Sequence, residues 1–322
     1  MQGPVFAVTN RLPAPAVELL RQAGEVRLDE RETAIPREDL LELVAGADAV
    51  LTLLHDRVDA ELLDAAGPQL RCVANVAVGY DNVDVAAAAA RGVVVTNTPE
   101  VLDDATADLT WALLLAATRR VAEGDRLVRS GREWSWGMSF MLGSSLRGKR
   151  LGIVGLGGIG RRVAERGRAF GMEIAYHSRR PAPTEVTAAL EAERMPLQRL
   201  LAESDVVSLH CPLTPETHHL IGARELEAMK ESAVLVNAAR GPIVDERALG
   251  EALAAGRIAA AALDVYEREP RVEPRLLELD NVVLAPHLGS ATVETRTAMA
   301  ELAARNAISV LRGQGPLTPV AS

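Results

Sequence analysis

The chain has 322 residues, 48% of them hydrophobic and 25% charged, with a formal net charge of −9. That length suits two domains of ordinary size, and that balance excludes disorder, collagen-like repeats and coiled-coil arrays as the main architecture. The acidic balance, with a pI of about 5.3, argues against general nucleic-acid or anionic-membrane binding, while leaving room for a local basic pocket. Cys72 and Cys211 are the only cysteines. Two are too few for a disulfide scaffold and suit a reducing cytoplasm. The N-terminal stretch Met1–Phe6 has neither the charged nor the long apolar region of a secretory leader, and no apolar run reaches membrane-spanning length. Neither a nucleic acid nor a membrane is therefore expected as a partner. Lys149 and Lys230 are the only lysines among 35 basic residues, a skew that reads as genome composition.

Short apolar runs alternate with helical spacing along most of the chain. Val5–Val8 reads as a strand, and Pro13–Ala23 as a helix stopped by Gly24. Ala49–Leu54 and Cys72–Val76 read as strands. Asp59–Ala66 and Val85–Ala90 read as helices, ended by Gly67 and by Arg91-Gly92. Val93–Thr96 closes this half. Thr98-Pro99-Glu100 has the composition of a helix start, with Thr as N-cap and Pro in the first turn. That helix is expected to run, with a break, to Gly131. A second α/β unit starts at Lys149, with strands at Arg150–Val154, Met172–Tyr176, Val206–His210, Ala233–Asn237, Ile258–Leu263 and Val282–Ala285. Val293–Leu311 is a last helix before a Gly/Pro tail. Such alternation implies parallel sheets covered by helices on both faces.

The strongest local motif is Gly155-Leu156-Gly157-Gly158-Ile159-Gly160, a G-x-G-x-x-G run after an apolar strand and before the helix Arg161–Phe170. In that context it reads as a dinucleotide site. Gly155 begins the tight turn, Gly157 lets backbone approach a pyrophosphate, and Gly160 lets helix pack on strand. The helix N-terminus supplies N–H groups to the phosphates. After the second strand, an acid would hydrogen-bond a ribose 2′-hydroxyl. The chain instead reads His177-Ser178-Arg179-Arg180, with no carboxylate before Glu185. Ser178 can donate a hydrogen bond, and Arg179 and Arg180 can pair with a phosphate dianion. NADP(H) is the preferred cofactor on this reading, with NAD(H) as the second choice.

Polar residues stand just past strand ends in the C-terminal half, where open α/β sheets place ligands. Arg240 precedes Gly241-Pro242, Asp264 ends a strand with Glu269-Pro270 beyond, and His287 follows Pro286. A cation, a carboxylate and an imidazole there suit hydride chemistry on a 2-keto acid. Arg holds the substrate carboxylate and polarises the carbonyl, and His protonates the developing alkoxide. Glu orients the imidazole and favours its protonated form.

The motifs Asn75-Val76-Ala77-Val78-Gly79-Tyr80-Asp81, Asp103–Asp108, the glycine fingerprint, Asn237–Gly241, Leu263–Pro270 and Pro286–Ser290 occur in this order. With them the chain, over nearly its whole length, resembles the D-isomer-specific 2-hydroxyacid dehydrogenases, in particular their glyoxylate/hydroxypyruvate reductase branch. The resemblance implies a catalytic trio of Arg240, Glu269 and His287. It alone selects Glu269 over Glu267, because acidic loops are common. It implies that the Val78 and Gly79 N–H groups bind the substrate carboxylate, and that Leu53 and Leu54 border a small side-chain pocket. Asp264 would accept from the nicotinamide carboxamide. Thr106, Cys211, Pro212, Ala239, His287 and Gly289 would contact cofactor, beside Gly158 and Ile159 of the fingerprint. Trp136 would reach a neighbouring subunit's site, from an arm spanning Pro99–Met141 in a homodimer. Two departures stand out. His177 and Ser178 occupy the place of the acid in NAD-preferring members, and Gly158 the place of a common Arg or Lys.

Other candidates have plainer readings. His210-Cys211 and His218-His219 do not have zinc spacing, and no metal is expected. Trp111 reads as helix packing, Asp84 as a helix cap, Asp81 as a loop acceptor. The expected architecture is two Rossmann-like, doubly wound parallel-sheet α/β domains with an interdomain cleft. Residues 1–98 and 288–322 would form a discontinuous, flavodoxin-like substrate domain, and 99–287 the dinucleotide domain with its dimerisation arm. The expected activity is reduction of glyoxylate to glycolate and of hydroxypyruvate to D-glycerate. Alternatives are a D-2-hydroxyacid dehydrogenase for a larger 2-keto acid or of the phosphoglycerate type, and a non-catalytic dinucleotide sensor. The first alternative stays open because one sequence does not fix pocket width. The phosphoglycerate type often carries an added regulatory domain, for which the chain is short, and long disordered extensions that would favour the sensor are not found.

Overall fold

The computed structural model describes residues 3–320. Met1 and Gln2, which begin the N-terminal stretch read above, lie outside them. In chain order the elements are β1 (Val5–Val8), α1 (Ala14–Ala23), β2 (Glu25–Leu28), α2 (Arg37–Val44), β3 (Ala49–Thr52), α3 (Ala60–Ala66), β4 (Cys72–Asn75), α4 (Val85–Ala90), β5 (Val94–Thr96), α5 (Asp103–Thr118) and α6 (Val121–Arg129). Then come β6 (Arg150–Val154), α7 (Gly158–Ala169), β7 (Glu173–His177), α8 (Thr184–Leu190), β8 (Glu193–Arg194), α9 (Leu197–Glu203), β9 (Val206–Leu209), α10 (Ala223–Ala228), β10 (Val234–Asn237), α11 (Glu246–Ala254), β11 (Ala260–Leu263), α12 (Pro274–Leu277), β12 (Val282–Leu284) and α13 (Val293–Leu311). The chain divides into two units. One runs up to Leu102 and resumes at Ser290, and the other is Asp103–Gly289.

In the first unit, five parallel strands are ordered β2-β1-β3-β4-β5. Strand order reverses between β1 and β3, which makes the sheet doubly wound with flavodoxin-like order. Every residue of β3 and β4 is buried. This is why they read as unbroken apolar runs rather than as alternation: a parallel sheet is covered on both faces. Leu40, Val44, Leu62 and Leu63 from the helices pack on Val50 and Val73 of the strands. Asp59 and Asp84 cap α3 and α4, accepting from the Leu62 and Ala87 N–H groups at 3.1 and 2.8 Å.

In the second unit, seven parallel strands are ordered β12-β11-β10-β9-β6-β7-β8. The reversal falls between β6 and β9, the Rossmann switch point, where ligands bind beyond the carboxyl ends of the strands. Both units are thus doubly wound parallel α/β sheets. Trp111 of α5 is buried, stacks on Phe170 with ring centroids 4.5 Å apart, and donates its indole N–H to the Val163 carbonyl at 3.0 Å. It is a packing residue, as its spacing suggests. Among the described residues no helix is long and apolar enough to cross a membrane.

The expected helix start at Thr98-Pro99-Glu100 is wrong. The Thr98 N–H is engaged by the Ala77 carbonyl at 2.8 Å, Glu100 has φ +69°, and the helix begins at Asp103. The Thr98 hydroxyl is buried without a hydrogen-bond partner and so caps no helix. The break before Gly131 falls at Arg119-Arg120, where Arg120 is left-handed. The sequence reading passed over β2, β8 and helices α2 and α8–α12, which are short and weakly periodic.

The fingerprint glycines differ in what surrounds them. A Cβ on Gly160 would lie 2.2 Å from the Gly155 carbonyl oxygen, whereas one on Gly157 would meet nothing within 4 Å. We expect Gly160→Ala to destabilise the protein by about 1–3 kcal/mol through forced backbone displacement. Gly157→Ala loses only a good N-cap residue, about 1 kcal/mol or less. Urea unfolding of the two variants checks the difference, and equal losses would contradict it.

Candidate active site and dinucleotide site

The C-terminal ends of β10, β11 and β12, three adjacent strands, lead to Arg240, Asp264 and His287. Asp264 organises this region. Its backbone carbonyl accepts from the His287 N–H at 2.8 Å, and its two carboxylate oxygens accept from the Leu288 and Gly289 N–H groups at 2.7 and 2.8 Å. Three successive amides are thereby held by one residue. His287 sits there with φ +55°, a left-handed conformation that a non-glycine residue adopts only where its surroundings impose it. Asp264 is buried, and burial pushes its carboxyl above the ordinary range despite those N–H donors and the His287 charge.

The His287 ring places Nδ1 2.8 Å from Glu269 Oε2, and the other oxygen, Oε1, accepts from the Tyr266 N–H at 3.1 Å. Burial alone would raise the Glu269 carboxyl. The His287 hydrogen bond and charge, the Tyr266 N–H and the Arg240 charge outweigh it and hold Glu269 below the usual range. With Nδ1 committed to Glu269, Nε2 is the ring nitrogen available to a substrate. Arg240 donates from Nη1 to the Ala239 carbonyl at 2.8 Å. The buried Asn237 side chain braces its loop, donating to the Arg240 carbonyl at 2.9 Å and accepting from the Ala239 N–H at 3.1 Å. Gly241 is required next to it, since a Cβ there would lie 1.8 Å from the Tyr266 carbonyl carbon. The Arg240 and Glu269 loops therefore touch backbone to backbone.

At the tip of β6, Gly155 has φ +98°, and a Cβ on it would lie 2.7 Å from the Cys211 nitrogen and the His210 carbonyl. The fingerprint turn thus abuts the loop after β9, at the switch point. Cys211 is half-buried there, and burial pushes its thiol up to about 11. Burial pushes the His210 imidazole down to about 3, so it is neutral at pH 7. Its Nε2 lies 2.8 Å from the Ser208 hydroxyl, while its Nδ1 is buried without a partner. His218 and His219 stack on each other with centroids 4.1 Å apart, and His219 pairs with Glu267 at 3.2 Å.

Gly289 packs closely, its would-be Cβ 3.3 Å from Thr106 and 3.4 Å from Asp264 Oδ2. The Pro212 carbonyl accepts from the Thr217 hydroxyl at 2.7 Å. Ile159, half-buried, packs against the core under α7. A Cβ on Gly158 would lie 2.1 Å from an Asp103 carboxylate oxygen, so this position is spatially closed in this chain. Ser178 follows β7, donating from Oγ to the Arg180 carbonyl at 2.6 Å, while Arg194 holds the Ser178 and Arg179 carbonyls at 3.0 and 3.1 Å. The Arg179 charge acts on Cys211 and Glu216. The open space at Gly157, the free N–H groups that begin α7, the left-handed turn at Gly155 and the orphaned His210 nitrogen fit a bound dinucleotide.

Leu53, Val78 and Gly79 belong to the other unit, beyond the ends of β3 and β4. Trp136 is 76% exposed in the segment after α6, where Trp134 stacks on Phe140 at 5.8 Å. Among the described residues it makes no hydrogen bond or ring contact with Arg240, Glu269 or His287.

Sequence reasoning passed over Glu246. This carboxylate is buried and accepts from the Glu267 N–H at 2.6 Å and the Glu273 N–H at 3.3 Å, while Glu267 Oε1 accepts from the Glu246 N–H at 2.9 Å. It clamps both sides of the segment that carries Glu269. Its carboxyl is raised by burial and by the nearby Glu267 and Glu273 charges. Its only sequence signal, an acid after the N-cap Asp245, is that of ordinary helix capping.

Residues 111–289 match the family model of the D-isomer specific 2-hydroxyacid dehydrogenase, NAD binding domain. The glyoxylate reductase of Thermococcus gammatolerans is 51% identical over 325 residues, covering 99% of this chain and 96% of that protein. The crystal structure of a Thermus thermophilus protein is 46% identical, with a TM-score of 0.91, covering 99% of this chain and 100% of the other. That of the NADPH-dependent glyoxylate/hydroxypyruvate reductase of Sinorhizobium meliloti, in complex with NADP and malonate, is 37% identical, with a TM-score of 0.86 over 99% of this chain and 97% of the other. The chain belongs to the D-isomer specific 2-hydroxyacid dehydrogenase family. It is an oxidoreductase acting on a CH–OH group, and its second unit is a nicotinamide-dinucleotide-binding domain.

The lowered Glu269 carboxyl has a consequence for stability. The unfolded carboxyl titrates near its ordinary value of 4.5. The stabilisation from its native partners is therefore full above that pH and is lost as the pH falls through the lower folded value. Glu269→Gln should flatten the acid limb of the stability curve below about pH 5. Urea midpoints between pH 3 and 7 test this, and parallel curves for wild type and variant would contradict it.

Proposed function

We propose that this chain reduces glyoxylate to glycolate and hydroxypyruvate to D-glycerate, with a nicotinamide dinucleotide as hydride donor and His287 as general acid. The observation that carries this reading is the oriented pair of His287 and Glu269 at 2.8 Å, beside Arg240 at the carboxyl ends of adjacent strands. The reduced nicotinamide supplies a hydride to the carbonyl carbon. Arg240 neutralises charge that develops on the carbonyl oxygen, and His287 Nε2 delivers the proton to that oxygen. Glu269 holds Nδ1–H, so the proton for transfer resides on the opposite ring nitrogen. The N–H groups of Val78 and Gly79 take the substrate carboxylate, and Leu53 borders the side chain. Gly155, Gly157, Gly158, Ile159 and Gly160 hold the pyrophosphate. Thr106, Cys211, Pro212, Ala239, Asp264 and Gly289 line the nicotinamide half.

NADP(H) is the preferred form on this reading. The chain places Ser178, Arg179 and Arg180 after β7 where an acid would disfavour a 2′-phosphate. The relative from Sinorhizobium meliloti is described as NADPH-dependent, which agrees. A cytoplasmic homodimer is the natural form. Helix α6 buries no residue, and Trp134, Trp136, Met138 and Leu142 after it are exposed. Trp136 would then serve the partner's site.

Initial rates of cofactor oxidation with glyoxylate, hydroxypyruvate, pyruvate and phosphohydroxypyruvate, each with NADPH and NADH, test the reading. The first two with NADPH should be fastest. His287→Ala should lower kcat by about 10²–10⁴, the range of a general acid. Binding of cofactor without turnover of any of the four would overturn the reading. Arg179→Ala with Arg180→Ala should raise the KM for NADPH about tenfold or more, as the loss of one charge-assisted contact implies, and leave that for NADH nearly unchanged. Equal effects on both cofactors would remove the phosphate assignment alone.

A further inference from the structure

Resting on that reading of Val78 and Gly79, we infer that Asn97 is a positioning residue for substrate: it aims the carboxylate-binding amides by holding their carbonyl from behind, and the segment around Thr318 holds Asn97 in place. The argument begins with peptide geometry. In a trans peptide the C=O and the following N–H point in opposite directions within one plane. The Glu269-Pro270 bond is cis, and no other cis bond occurs among the described residues. The Ala77 carbonyl accepts from the Thr98 N–H at 2.8 Å, and the Val78 carbonyl accepts from Asn97 Nδ2, also at 2.8 Å. One dipeptide, Asn97-Thr98, therefore holds two successive carbonyls. The N–H groups of Val78 and Gly79 must both point away from it. Two successive amides aimed alike form a nest for an anion.

Among the described residues neither N–H meets a hydrogen-bond acceptor, and both residues are only half-buried. A third carbonyl, that of Gly79, accepts from Asn75 Nδ2 at 2.9 Å. Asn75 is itself fully buried, accepts from the Thr52 hydroxyl at 3.0 Å and exchanges bonds with Asn82 at 3.2 Å. Asn82 in turn donates to the Leu53 carbonyl at 3.0 Å. These contacts matter because Gly79 has no Cβ to restrict its rotation. Without the Asn97 amide, the Val78–Gly79 peptide plane is free to turn and take the N–H out of the nest.

Asn97 is in turn anchored from the far end of the chain. The Asn97 carbonyl accepts from the Thr318 hydroxyl at 2.6 Å, and the Asn97 N–H donates to the Thr318 carbonyl at 3.3 Å. The fully buried Asn306 of α13 fixes that segment: it donates to the Thr318 hydroxyl at 2.8 Å and accepts from the Leu317 and Thr318 N–H groups at 2.9 and 3.0 Å. A relay of side-chain amides thus runs from α13 through Thr318 and Asn97 to the peptide that would meet the substrate.

The test uses the full chain, saturated with NADPH except where NADPH binding is itself titrated, and reads four quantities. They are the KM and kcat for glyoxylate, the Kd for oxamate (a carboxylate that is not reduced), and the Kd for NADPH. In Asn97→Ala, KM for glyoxylate and Kd for oxamate should rise about five- to tenfold, the value of one hydrogen bond, with kcat within about threefold and NADPH affinity unchanged. Thr318→Val, which removes only a hydroxyl far from the chemistry, should move the same two quantities about two- to threefold in the same direction. It also keeps the question open to measurement if Asn97→Ala does not fold. If wild type reduces glyoxylate and binds oxamate but the folded variants leave both constants unchanged, the inference falls and the proposed function stands. If NADPH affinity falls in parallel with KM in both variants, the role of Asn97 is general stability and the inference also falls. If wild type neither reduces glyoxylate nor binds oxamate, the proposed function falls and takes this inference with it.

Discussion

The arrangement of the loop that carries His287 depends on Asp264. A strand end delivers one carboxylate and one carbonyl, and three consecutive amides bind to them. That clamp holds the left-handed backbone of His287, φ +55°, a conformation uncommon for any residue but glycine. The ring then meets Glu269 through Nδ1. Burial opposes ionisation of Asp264, so the clamp holds only because its two N–H donors replace lost water. Substituting the carboxylate would leave two amides without partners and release the turn that holds His287.

The same physical device recurs at each loop that carries function. Asn237 braces the Arg240 loop, Glu246 clamps the segment of Glu269, and Asn75 holds the loop of Val78 and Gly79. In each case a buried side chain satisfies backbone groups that no strand or helix can reach. Loops beyond the ends of parallel strands have no ladder to order them. Glu246 shows how far this goes: its carboxylate stays buried beside two other acids because two backbone N–H groups donate to it. The fixed loops, more than the sheets, set where the polar groups point.

Much of this was legible in the sequence because parallel sheets write simple patterns. Buried strands such as β3, β4 and β10 are apolar runs closed by one Thr or Asn, and α13 is delimited by Thr292 and Arg312 at both ends. The glycine fingerprint was legible for a stronger reason. Gly155 and Gly160 are demanded by steric contacts of 2.7 and 2.2 Å, so the residue type records the geometry. The start of α5 was not legible. Thr98-Pro99-Glu100 has the composition of a cap, but its first amide is taken by Ala77, 21 residues earlier in the chain. Local propensity does not encode a partner so distant. Glu246 and Asn97 were hidden in the same way, as an ordinary first-turn acid and an ordinary loop amide.

Motif and role therefore separate along a physical line. Residues whose chemistry is displayed, such as His287 and Arg240, follow strand ends and carry a type that suits a reaction. Residues that aim others display nothing. Asn75, Asn82, Asn97, Asn237 and Asn306 are all asparagines with their amides turned inward to backbone or to one another. Asparagine suits this work because one short side chain offers both a donor and an acceptor, carries no charge to desolvate, and loses little rotamer entropy. A carboxylate serves where N–H donors alone must be gathered, from backbone at Asp264 and Glu246 and from backbone and imidazole at Glu269. The choice between amide and acid at each loop thus follows from which backbone groups the turn leaves exposed: carbonyls and N–H groups together call for asparagine, and N–H groups alone for an acid.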